Sequence, residues 1–379
     1  MFKLFVSIAA LIWVALASPL KDSCTVTSYD AVSTAVSSCT NIVIKGITVP
    51  AGKTLTLDLK TGTTLTFDGT ITFAHSNWAG PLVQVKGSKV TVKGTSNSKL
   101  DGLGAKYWDG KGDSGVTKPK FFRIKTTGNS LFQNINLVNC PRQCVSINSA
   151  SNTVLSNWVI DVSAGDSVSI FINKCLSLLH LYFQAGGKNT DGFDVSSSTG
   201  ITVQNSEVKN QDDCVAVNQG SNMIFKNLTC SGGHGLSLSV GQSSSSGSAN
   251  TVKNVTFTDC SVVNSRNGIH VKTHTDAGTG SINLVTYKNI KFSGITNYAI
   301  NIQQDYKNGK STGTPTNNIP ITNLNLQNVA GSMSGSSKSM PVYILCGSNG
   351  CSSWTWSKVS ITNGKKSNSC NFSPSGFSC

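Results

Sequence analysis

Short alternations of apolar and polar residues run along most of the chain after residue 40, separated by Gly, Asn and Ser. Clear examples begin at Asn41 (NIVI), Thr54 (TLTL), Thr64 (TLTF) and Lys89 (KVTV). A period of two residues with turn residues between the runs is typical of β-strands. Long helical periodicity is absent after residue 40, so the pattern predicts an all-β protein.

One strand pattern recurs five times in the middle of the chain. Each copy starts with a polar residue, continues with a small one and ends apolar-x-apolar. The copies start at Asp191, Asp213, His234, Asn267 and Tyr298, in steps of 22, 21, 33 and 31 residues. Such a spacing indicates a solenoid, in which each repeat adds one strand to a stack of parallel strands about 4.8 Å apart. We therefore expect Asp191, Asp213 and His234 to lie above one another on successive coils.

A sandwich or a barrel is the alternative all-β architecture. An Asn-x-apolar motif at strand ends favours the parallel β-helix, because stacked inward asparagines can satisfy backbone groups that turns leave unpaired. The motif occurs at Asn134, Asn227, Asn254, Asn289 and Asn325. We expect a single domain over residues 18–379, in which residues 21–38 form a short helix that caps the N-terminal end.

The first 17 residues have the features of a secretory signal peptide. Lys3 is basic, Leu4 to Leu16 form an apolar stretch too short to span a bilayer, and Ala15 and Ala17 provide a small-residue cleavage site. A membrane anchor is the alternative, but no later stretch is apolar enough to span. The sequence therefore predicts a secreted, extracellular protein.

The formal net charge is +14. A basic secreted protein can bind nucleic acid, an anionic surface or an acidic polymer. The Lys and Arg residues are scattered and no nucleic-acid-binding motif is present, so nucleic acid is disfavoured as a partner. A polymer with one carboxylate per sugar is the better candidate.

Residues 189–235 concentrate the chemistry of the chain, which has only 17 acidic residues and 5 histidines. This window contains Asn189-Thr-Asp191, the neighbouring Asp212 and Asp213, and His234 between two glycines. Clustered carboxylates repel one another, so one of the three should keep its proton well above its usual pKa. A carboxyl group that stays protonated can act as a general acid.

Four motifs in this order and spacing resemble the polygalacturonases, the pectin-cleaving glycoside hydrolases with a right-handed parallel β-helix. They are Asn-Thr-Asp at 189–191, Asp-Asp at 212–213, Gly-His-Gly at 233–235 and a basic-x-Lys segment at 270–272. The resemblance runs from about residue 24 to residue 379. It implies a monomeric, endo-acting hydrolase that cleaves α-1,4-galacturonosyl bonds with inversion and needs no metal or cofactor. A pectate lyase would need calcium ligands and a proton-abstracting arginine, which these motifs do not match, and Gly-His-Gly with Lys272 disfavours a rhamnogalacturonan hydrolase.

The resemblance also implies roles for individual residues. Asp212 would be the general acid, Asp191 and Asp213 would hold and activate the water, and His234 would tune the protonation of the acid. Asn189 would contact sugar or orient Asp191. The implied substrate-binding residues are Asn189, Gly233, Gly235, His270, Lys272 and Tyr298.

One position departs from the family pattern. His270 stands where an arginine is usual, and an imidazole does not replace a guanidinium towards a carboxylate. A protonated His270 at acidic pH, or the nearby Arg266, would be a partial substitute. Losing a charge-assisted contact costs about 1.5–3 kcal/mol. A catalytically weak or inactive homologue that binds pectin fragments or plant inhibitor proteins is therefore the alternative function.

Twelve cysteines in a secreted chain predict disulfides. Resemblance and proximity in the sequence imply the pairs Cys24–Cys39, Cys214–Cys230, Cys346–Cys351 and Cys370–Cys379. Cys140, Cys144, Cys175 and Cys260 cannot be paired from the sequence. The motifs at Asn227, Asn254 and Asn371 fit N-glycosylation acceptors.

Residues 168–184 interrupt the pattern. The segment is apolar, lacks the strand repeat, and its removal leaves a chain that resembles the family without a break. Every valine codon starts with GT, and Phe-Gln can be encoded as TTTCAG, which is a splice-acceptor sequence. We therefore expect a translated intron. A genuine surface insertion is the alternative, although it would expose an unusual apolar patch.

Overall fold

The computed structural model describes residues 23–166, 186–307 and 309–379. The predicted signal peptide (residues 1–17), the segment 168–184 and Cys175 lie outside these residues. In the described part of the chain, no helix is long and apolar enough to cross a membrane.

Short strands follow one another along the chain. Before residue 167 they are β1 Cys24–Val26, β2 Asn41–Lys45, β3 Thr48–Val49, β4 Leu55–Asp58, β5 Thr64–Asp68, β6 Thr70–Phe73, β7 Val83–Ser88, β8 Thr91–Gly94, β9 Lys99–Asp101, β10 Phe122–Thr127, β11 Ser130–Gln133, β12 Asn136–Val138, β13 Val145–Asn148, β14 Ser151–Ser156 and β15 Val159–Asp161. From residue 186 they are β16 Phe193–Ser196, β17 Ser198–Lys209, β18 Val215–Val217, β19 Gly220–Ser231, β20 Leu236–Val240, β21 Thr251–Thr258, β22 Ser261–Val263, β23 Asn267–His274, β24 Ser281–Ile295, β25 Tyr298–Lys307, β26 Lys310–Ser311, β27 Ile321–Met333, β28 Met340–Leu345, β29 Cys351–Ser352, β30 Thr355–Thr362 and β31 Ser369–Cys370. The helical elements are α1 Val32–Ser38 and the 3-10 turns Tyr29–Ala31, Gly104–Lys106, Gly112–Ser114, Ser163–Gly165 and Gly247–Asn250.

The described strands form two stacks of parallel strands. One sheet runs through β4, β7, β10, β13, β16, β18, β20, β23, β25, β28 and β31, with the short β26 antiparallel to β25. We call it the site sheet. The other 19 strands form the second sheet. Because successive coils add parallel strands to both sheets, the chain is a right-handed parallel β-helix, as the sequence predicted.

The five sequence repeats occupy equivalent places in the site sheet. Their first apolar residues are aligned from β16 through β18, β20 and β23 to β25, in the order Phe193, Val215, Leu236, Ile269 and Ile300. This register confirms that the positions of Asp191, Asp213 and His234 follow one another on successive coils.

Side chains alternate between the two faces of the site sheet, as strand geometry requires. The apolar residues of the repeats point inward and are fully buried. The residues between them point outward and are aligned on five neighbouring strands as Asp194, Ala216, Ser237, His270 and Asn301. We call this row the outward ladder.

The N-terminal cap is shorter than the predicted helix over residues 21–38. Its first part is the strand β1, which pairs in parallel with β2, and only α1 is an α-helix. β1 contains the β-branched Thr25 and Val26, which suit a strand, and pairing with β2 satisfies backbone groups that an end coil would leave open. The helix buries Val32, Ala35 and Val36 against the core, and Cys24–Cys39 joins β1 to its end.

The asparagines at the turns are stacked, but they point outward rather than inward as predicted. Asn157 donates to Asn134 at 3.2 Å, and Asn227 and Asn254 donate to the coils before them at 2.9 and 2.8 Å. These asparagines have left-handed backbone angles, which their short polar side chains tolerate. Asn325, the fifth predicted position, lies within β27 without this conformation. Glycosylation at Asn227, Asn254 or Asn371 stays a prediction.

All four predicted disulfides are present. A fifth disulfide joins Cys140 to Cys144, and the buried Cys260 forms none within the described residues. Cys214 stands directly between Asp213 and β18, while Cys230 belongs to β19 of the second sheet. Their bridge therefore fastens the backbone under Asp213 to the opposite sheet.

Candidate active site

The turns that lead into β16, β18 and β20 bring the predicted catalytic residues to one cavity of about 460 Å³. Its chemically active wall is formed by Asp191, Asp194, Asp212, Asp213, His234 and Lys272. We call it the carboxylate cavity. Backbone bonds between successive turns fix their spacing: Gly192 N donates to Asp213 O at 2.9 Å, and His234 N donates to Asp212 O at 2.7 Å.

Asp212 forms an ion pair with His234. The imidazole Nδ1 lies 3.0 Å from Oδ1 of Asp212, which also accepts the backbone N–H of Asp213 at 2.8 Å. Burial alone would raise the pKa of Asp212, but the His234 hydrogen bond and charge outweigh it and lower that pKa to about 2. Burial would lower the pKa of His234, but Asp212 raises it above its usual value.

Asp213 is held in a buried salt bridge. It accepts Lys272 Nζ at 2.8 Å on one oxygen and Ser237 Oγ at 2.6 Å on the other. Burial would lower the pKa of Lys272, but the charge of Asp213 raises it. The resemblance implies that Lys272 binds substrate. Since its ammonium is bonded to Asp213, a substrate would have to share it.

The surroundings of Asp191 favour its protonated form. Its Oδ1 is buried and accepts no hydrogen bond from the described residues. Burial raises the pKa of Asp191 well above its usual value, and the charges of Asp212, Asp194 and Asp213 raise it further. We predicted that repulsion among the three carboxylates would hold a proton on one of them. Burial is the larger cause here, and the raised pKa belongs to Asp191 rather than to Asp212, the expected general acid. The cause is His234, which favours the charged form of Asp212.

Asn189 positions Asp212 rather than Asp191. Its Nδ2 donates to Asp212 Oδ2 at 3.3 Å, and its Oδ1 accepts the backbone N–H of Asp113 at 3.0 Å. The loop comes this close because residue 112 is a glycine: a Cβ there would lie 2.2 Å from Asn189 Oδ1.

The glycines on either side of His234 have a backbone role. A Cβ at Gly233 would lie 2.1 Å from Asp212 O, and one at Gly235 would lie 2.2 Å from Gly268 O. Neighbouring coils approach too closely for any side chain at these two positions. Their predicted contact with substrate stays a prediction.

Two residues of the site were missed by the sequence analysis. Asp194 points into the carboxylate cavity from β16, and burial, together with Asp213 and Asp212, raises its pKa to about 7 against the opposing charge of Lys120. The alternation of β16 could have revealed it, because Asp194 occupies an outward position. Tyr306 places its ring 5.2 Å from Lys272 Nζ, an arrangement that a cation–π interaction favours. No sequence signal identified Tyr306.

A second cavity of about 300 Å³ adjoins the first and shares His234, Lys272 and Tyr306 with it. Asn267, His270 and Asn301 line it, and we call it the amide cavity. The predicted Tyr298 also lies here, half-buried, with its ring centroid 5.4 Å from that of Tyr343.

His270 is not suited to replace an arginine by becoming protonated. Burial lowers its pKa well below the usual value, and the positive charges of Lys272, His234 and Arg266 lower it further. The surroundings of His270 therefore disfavour the protonated form that the sequence analysis considered as a partial substitute for arginine. Arg266 lines the amide cavity, but its side chain is exposed.

Asp212, Asp213 and His234 place potential ligand atoms within 4.8 Å of one another. The Lys272 ammonium already supplies the positive charge beside Asp213, and His234 supplies it beside Asp212. A divalent cation would be repelled by both. The arrangement suits acid–base chemistry, in which one carboxyl group gives a proton while others take one from water.

The sequence relatives of the chain are pectin-related enzymes. It is 48% identical to a polygalacturonase of Phaedon cochleariae over 375 residues, covering 98% of this chain and 97% of that one. It is 47% identical to endopolygalacturonase A of Aspergillus niger over 362 residues, covering 95% and 91%.

The solved structures agree with the sequence relatives. Endopolygalacturonase I from Stereum purpureum, complexed with two galacturonates, superposes with a TM-score of 0.76 at 32% identity, covering 92% of this chain and 96% of that one. The family model for glycosyl hydrolases family 28 matches residues 39–379. The chain therefore belongs to glycosyl hydrolase family 28.

Proposed function

We propose that the protein is a secreted endopolygalacturonase that hydrolyses α-1,4-galacturonosyl bonds of pectin by inversion. The observation that carries the proposal is the carboxylate cavity, where Asp191, Asp212 and Asp213 meet beside His234 and Lys272. Relatives that share nearly half of the sequence over its whole length are named polygalacturonases or endopolygalacturonases. The net charge of +14 suits a polymer that carries one carboxylate per sugar.

In this proposal Asp212 protonates the glycosidic oxygen as the C1–O bond breaks. Substrate binding should raise the low pKa of Asp212, because the sugar excludes water and brings its own negative charge. Both changes raise the pKa of Asp212, while His234 remains beside it as a source of the proton. Lys272 remains hydrogen-bonded to Asp213 rather than to Asp212.

Asp191 and Asp213 activate the water that attacks C1 from the opposite face. A water donating to the buried Oδ1 of Asp191 supplies the hydrogen bond that this oxygen lacks and favours its ionised form. The proton that Asp191 releases is taken up by the pair formed by Asp212 and His234, which leaves Asp212 protonated as the acid. The water oxygen then bonds to C1 as the bond from C1 to the glycosidic oxygen breaks, and the proton of the water passes to the ionised carboxylate. Inverting glycosidases use this division between an acid and a base that holds water.

Secretion, a monomeric state and independence of metals and cofactors complete the proposal. Five disulfides support secretion, because disulfides persist in oxidising compartments. Cleavage after residue 17 is checked by N-terminal sequencing of the protein from culture medium. Chelation with EDTA should leave activity unchanged.

The test is release of reducing ends from polygalacturonate at about pH 5. We expect turnover by the wild type and a loss of about 10²–10⁴-fold in Asp212→Asn, because general acid catalysis contributes this much. Asp276→Asn is the matched control, since Asp276 is an exposed aspartate outside both cavities. A viscosity drop that precedes most of the reducing-end release would establish endo action.

His270 is the observation that favours the second candidate, a homologue that binds pectin fragments or plant inhibitor proteins without turnover. The buried imidazole stands where the family usually has a guanidinium, and the only arginine described in the lining of the amide cavity, Arg266, is exposed. If the wild-type protein binds oligogalacturonate in calorimetry but releases no reducing ends, the protein is a binding protein rather than an enzyme.

We also propose that residues 168–184 are a translated intron. In support, Gly187 N donates to Gly165 O at 2.8 Å, so the residues on either side of the segment already meet. Deletion should therefore keep the Tm within about 2 °C and retain activity. Transcripts that carry the segment in most mature messages would contradict the intron.

A further inference from the structure

The amide cavity contains three buried polar atoms without a hydrogen-bond partner among the described residues. They are Asn267 Oδ1, His270 Nε2 and Asn301 Oδ1, on side chains that are 3%, 8% and 3% exposed. Leaving a buried polar group unpaired costs about 1–3 kcal/mol. Three such atoms on one wall of one cavity are what a binding site for a polar ligand requires.

The neighbours of these atoms define their hydrogen-bonding roles. Asn267 Nδ2 lies 3.4 Å from His270 Nδ1, and an amide nitrogen can only donate. His270 Nδ1 therefore accepts, and the hydrogen of the neutral ring is on Nε2. Asn301 Nδ2 donates to Gln303 Oε1 at 3.0 Å, and its Oδ1 has no partner among the described residues. The wall offers one N–H donor and two carbonyl acceptors.

This arrangement of one donor and two acceptors suits hydroxyl groups and disfavours a carboxylate. A carboxylate only accepts hydrogen bonds, so two carbonyl oxygens would repel it. Sugar hydroxyls donate and accept and can satisfy all three atoms. Arg266 and Lys310 are cations of the same cavity, but both side chains are exposed, where ion pairs contribute little. Lys272 and His234 also line the cavity, but Lys272 is paired with Asp213 and His234 with Asp212.

We propose that the amide cavity takes an uncharged sugar unit, a methyl-esterified galacturonate, directly beside the unit held in the carboxylate cavity. The inference rests on the proposed function for the identity of the polymer. An ester can accept a bond from His270 Nε2, while the ring hydroxyls donate to the two asparagines. The two cavities share His234, Lys272 and Tyr306, so their occupants are neighbouring units of one chain. The enzyme would then act on partially esterified pectin.

Binding tests this inference without turnover. Calorimetry of Asp212→Asn measures the Kd of a galacturonate trimer and of its fully methyl-esterified form at about pH 5. We expect the ester to bind at least as tightly as the acid. In the background of Asp212→Asn, His270→Arg should shift the ratio of the two Kd values towards the acid by about 10-fold or more, since a charge-assisted contact is worth about 1.5–3 kcal/mol.

Thr199→Arg is the matched control, because it adds the same charge at an exposed position of β17 in the second sheet. It should leave the ratio within about 2-fold. An acid that binds 10-fold more tightly than the ester, with a ratio insensitive to His270→Arg, would overturn the inference. So would a loss of acid binding of about 10-fold in Arg266→Gln, which would show that Arg266 takes a carboxylate here.

The two proposals fail separately. Absence of reducing ends from wild-type protein on polygalacturonate and on partially esterified pectin contradicts the proposed hydrolase. The ratio of the Kd values still decides what the amide cavity binds. With an active wild type, kcat/KM on pectin of about half esterification should equal or exceed that on polygalacturonate, and His270→Arg should reverse this order.

Discussion

The carboxylate cavity and the amide cavity are built from equivalent positions of one repeated coil, yet they differ in charge. The outward ladder gives Asp194 to the first cavity and His270 and Asn301 to the second. In the first cavity the buried charges of Asp212 and Asp213 are paired with His234 and Lys272. In the second the wall formed by Asn267, His270 and Asn301 is uncharged, and three of its buried polar atoms have no partner among the described residues. The cations Lys272 and His234, which the two cavities share, are paired with aspartates of the first.

The difference shows how a solenoid separates stability from chemistry. The inward residues of the five site-sheet repeats are apolar and fully buried, so the core of these coils does not depend on what the outward ladder carries. A substitution on the ladder can then change charge or hydrogen bonding on one coil alone. His270 is such a substitution: it changes the ligand that its cavity fits and leaves the strand register intact.

The largest expected effect comes from breaking the buried salt bridge of the carboxylate cavity. Lys272→Met leaves Asp213 charged and buried, which costs about 3–5 kcal/mol, or a Tm lower by about 5–10 °C by calorimetry. The double variant with Asp213→Asn should recover most of the Tm and no activity. A single variant as stable as the wild type would mean that the pair is not buried in solution.

His234→Gln tests the proton that the site holds at acidic pH. His234 has a raised pKa, so the wild-type kcat/KM should fall as pH rises through that pKa. The variant should lose about 10²-fold in kcat. The basic limb of its pH–activity profile should move to lower pH, because Asp212 then titrates alone.

The ion pair between His234 and Asp212 also stabilises the fold below about pH 6.5, and this contribution is lost as pH rises through the raised pKa of His234. The variant should therefore lose more Tm at pH 5 than at pH 8, and an unchanged basic limb would contradict the assigned role.

Asp194→Asn should stabilise the protein in a pH-dependent way. The folded pKa of Asp194 is about 7, so between about pH 4 and pH 7 the folded state binds a proton that the unfolded state has released. Stability then falls with rising pH in this window. The variant should match the wild type near pH 4 and exceed its Tm by several degrees at pH 7. Equal Tm values at both pH values would contradict a raised pKa.

Asn301→Leu makes the corresponding change in the amide cavity and should have the smallest effect on stability. It removes an unpartnered carbonyl and an amide bond to Gln303, two changes that nearly offset each other, so the Tm should stay within about 2 °C. Affinity for the esterified trimer should fall about 10-fold. A destabilisation as large as that of Lys272→Met would remove the distinction between the two cavities.

The fold and the order of the site followed from the sequence because both depend on local pattern. The apolar-x-apolar repeat determines which residues face inward, and this determines the register that brings Asp191, Asp213 and His234 to successive coils. The cap was predicted less well, since a short polar segment such as β1 becomes a strand only because β2 offers it a pairing edge.

The electrostatics of the site could not be predicted from the sequence. Which carboxyl group keeps the proton depends on distances that bring His234 to Asp212 and leave Asp191 Oδ1 without a partner. Tyr306 was missed because its contact with Lys272 depends on how β25 ends. His270 was identified as a departure, but its neutral state follows only from its burial among positive charges.

The most direct test of the account is the anomeric configuration of the first product, followed by proton NMR while polygalacturonate or partially esterified pectin is hydrolysed. In the proposed mechanism, a water held by Asp191 and Asp213 opposite the acid Asp212 inverts the α-linkage, so the β-anomer should appear first and mutarotate to the equilibrium mixture. Initial accumulation of the α-anomer would mean that one of these carboxylates attacks the sugar itself, and would contradict the roles assigned to all three.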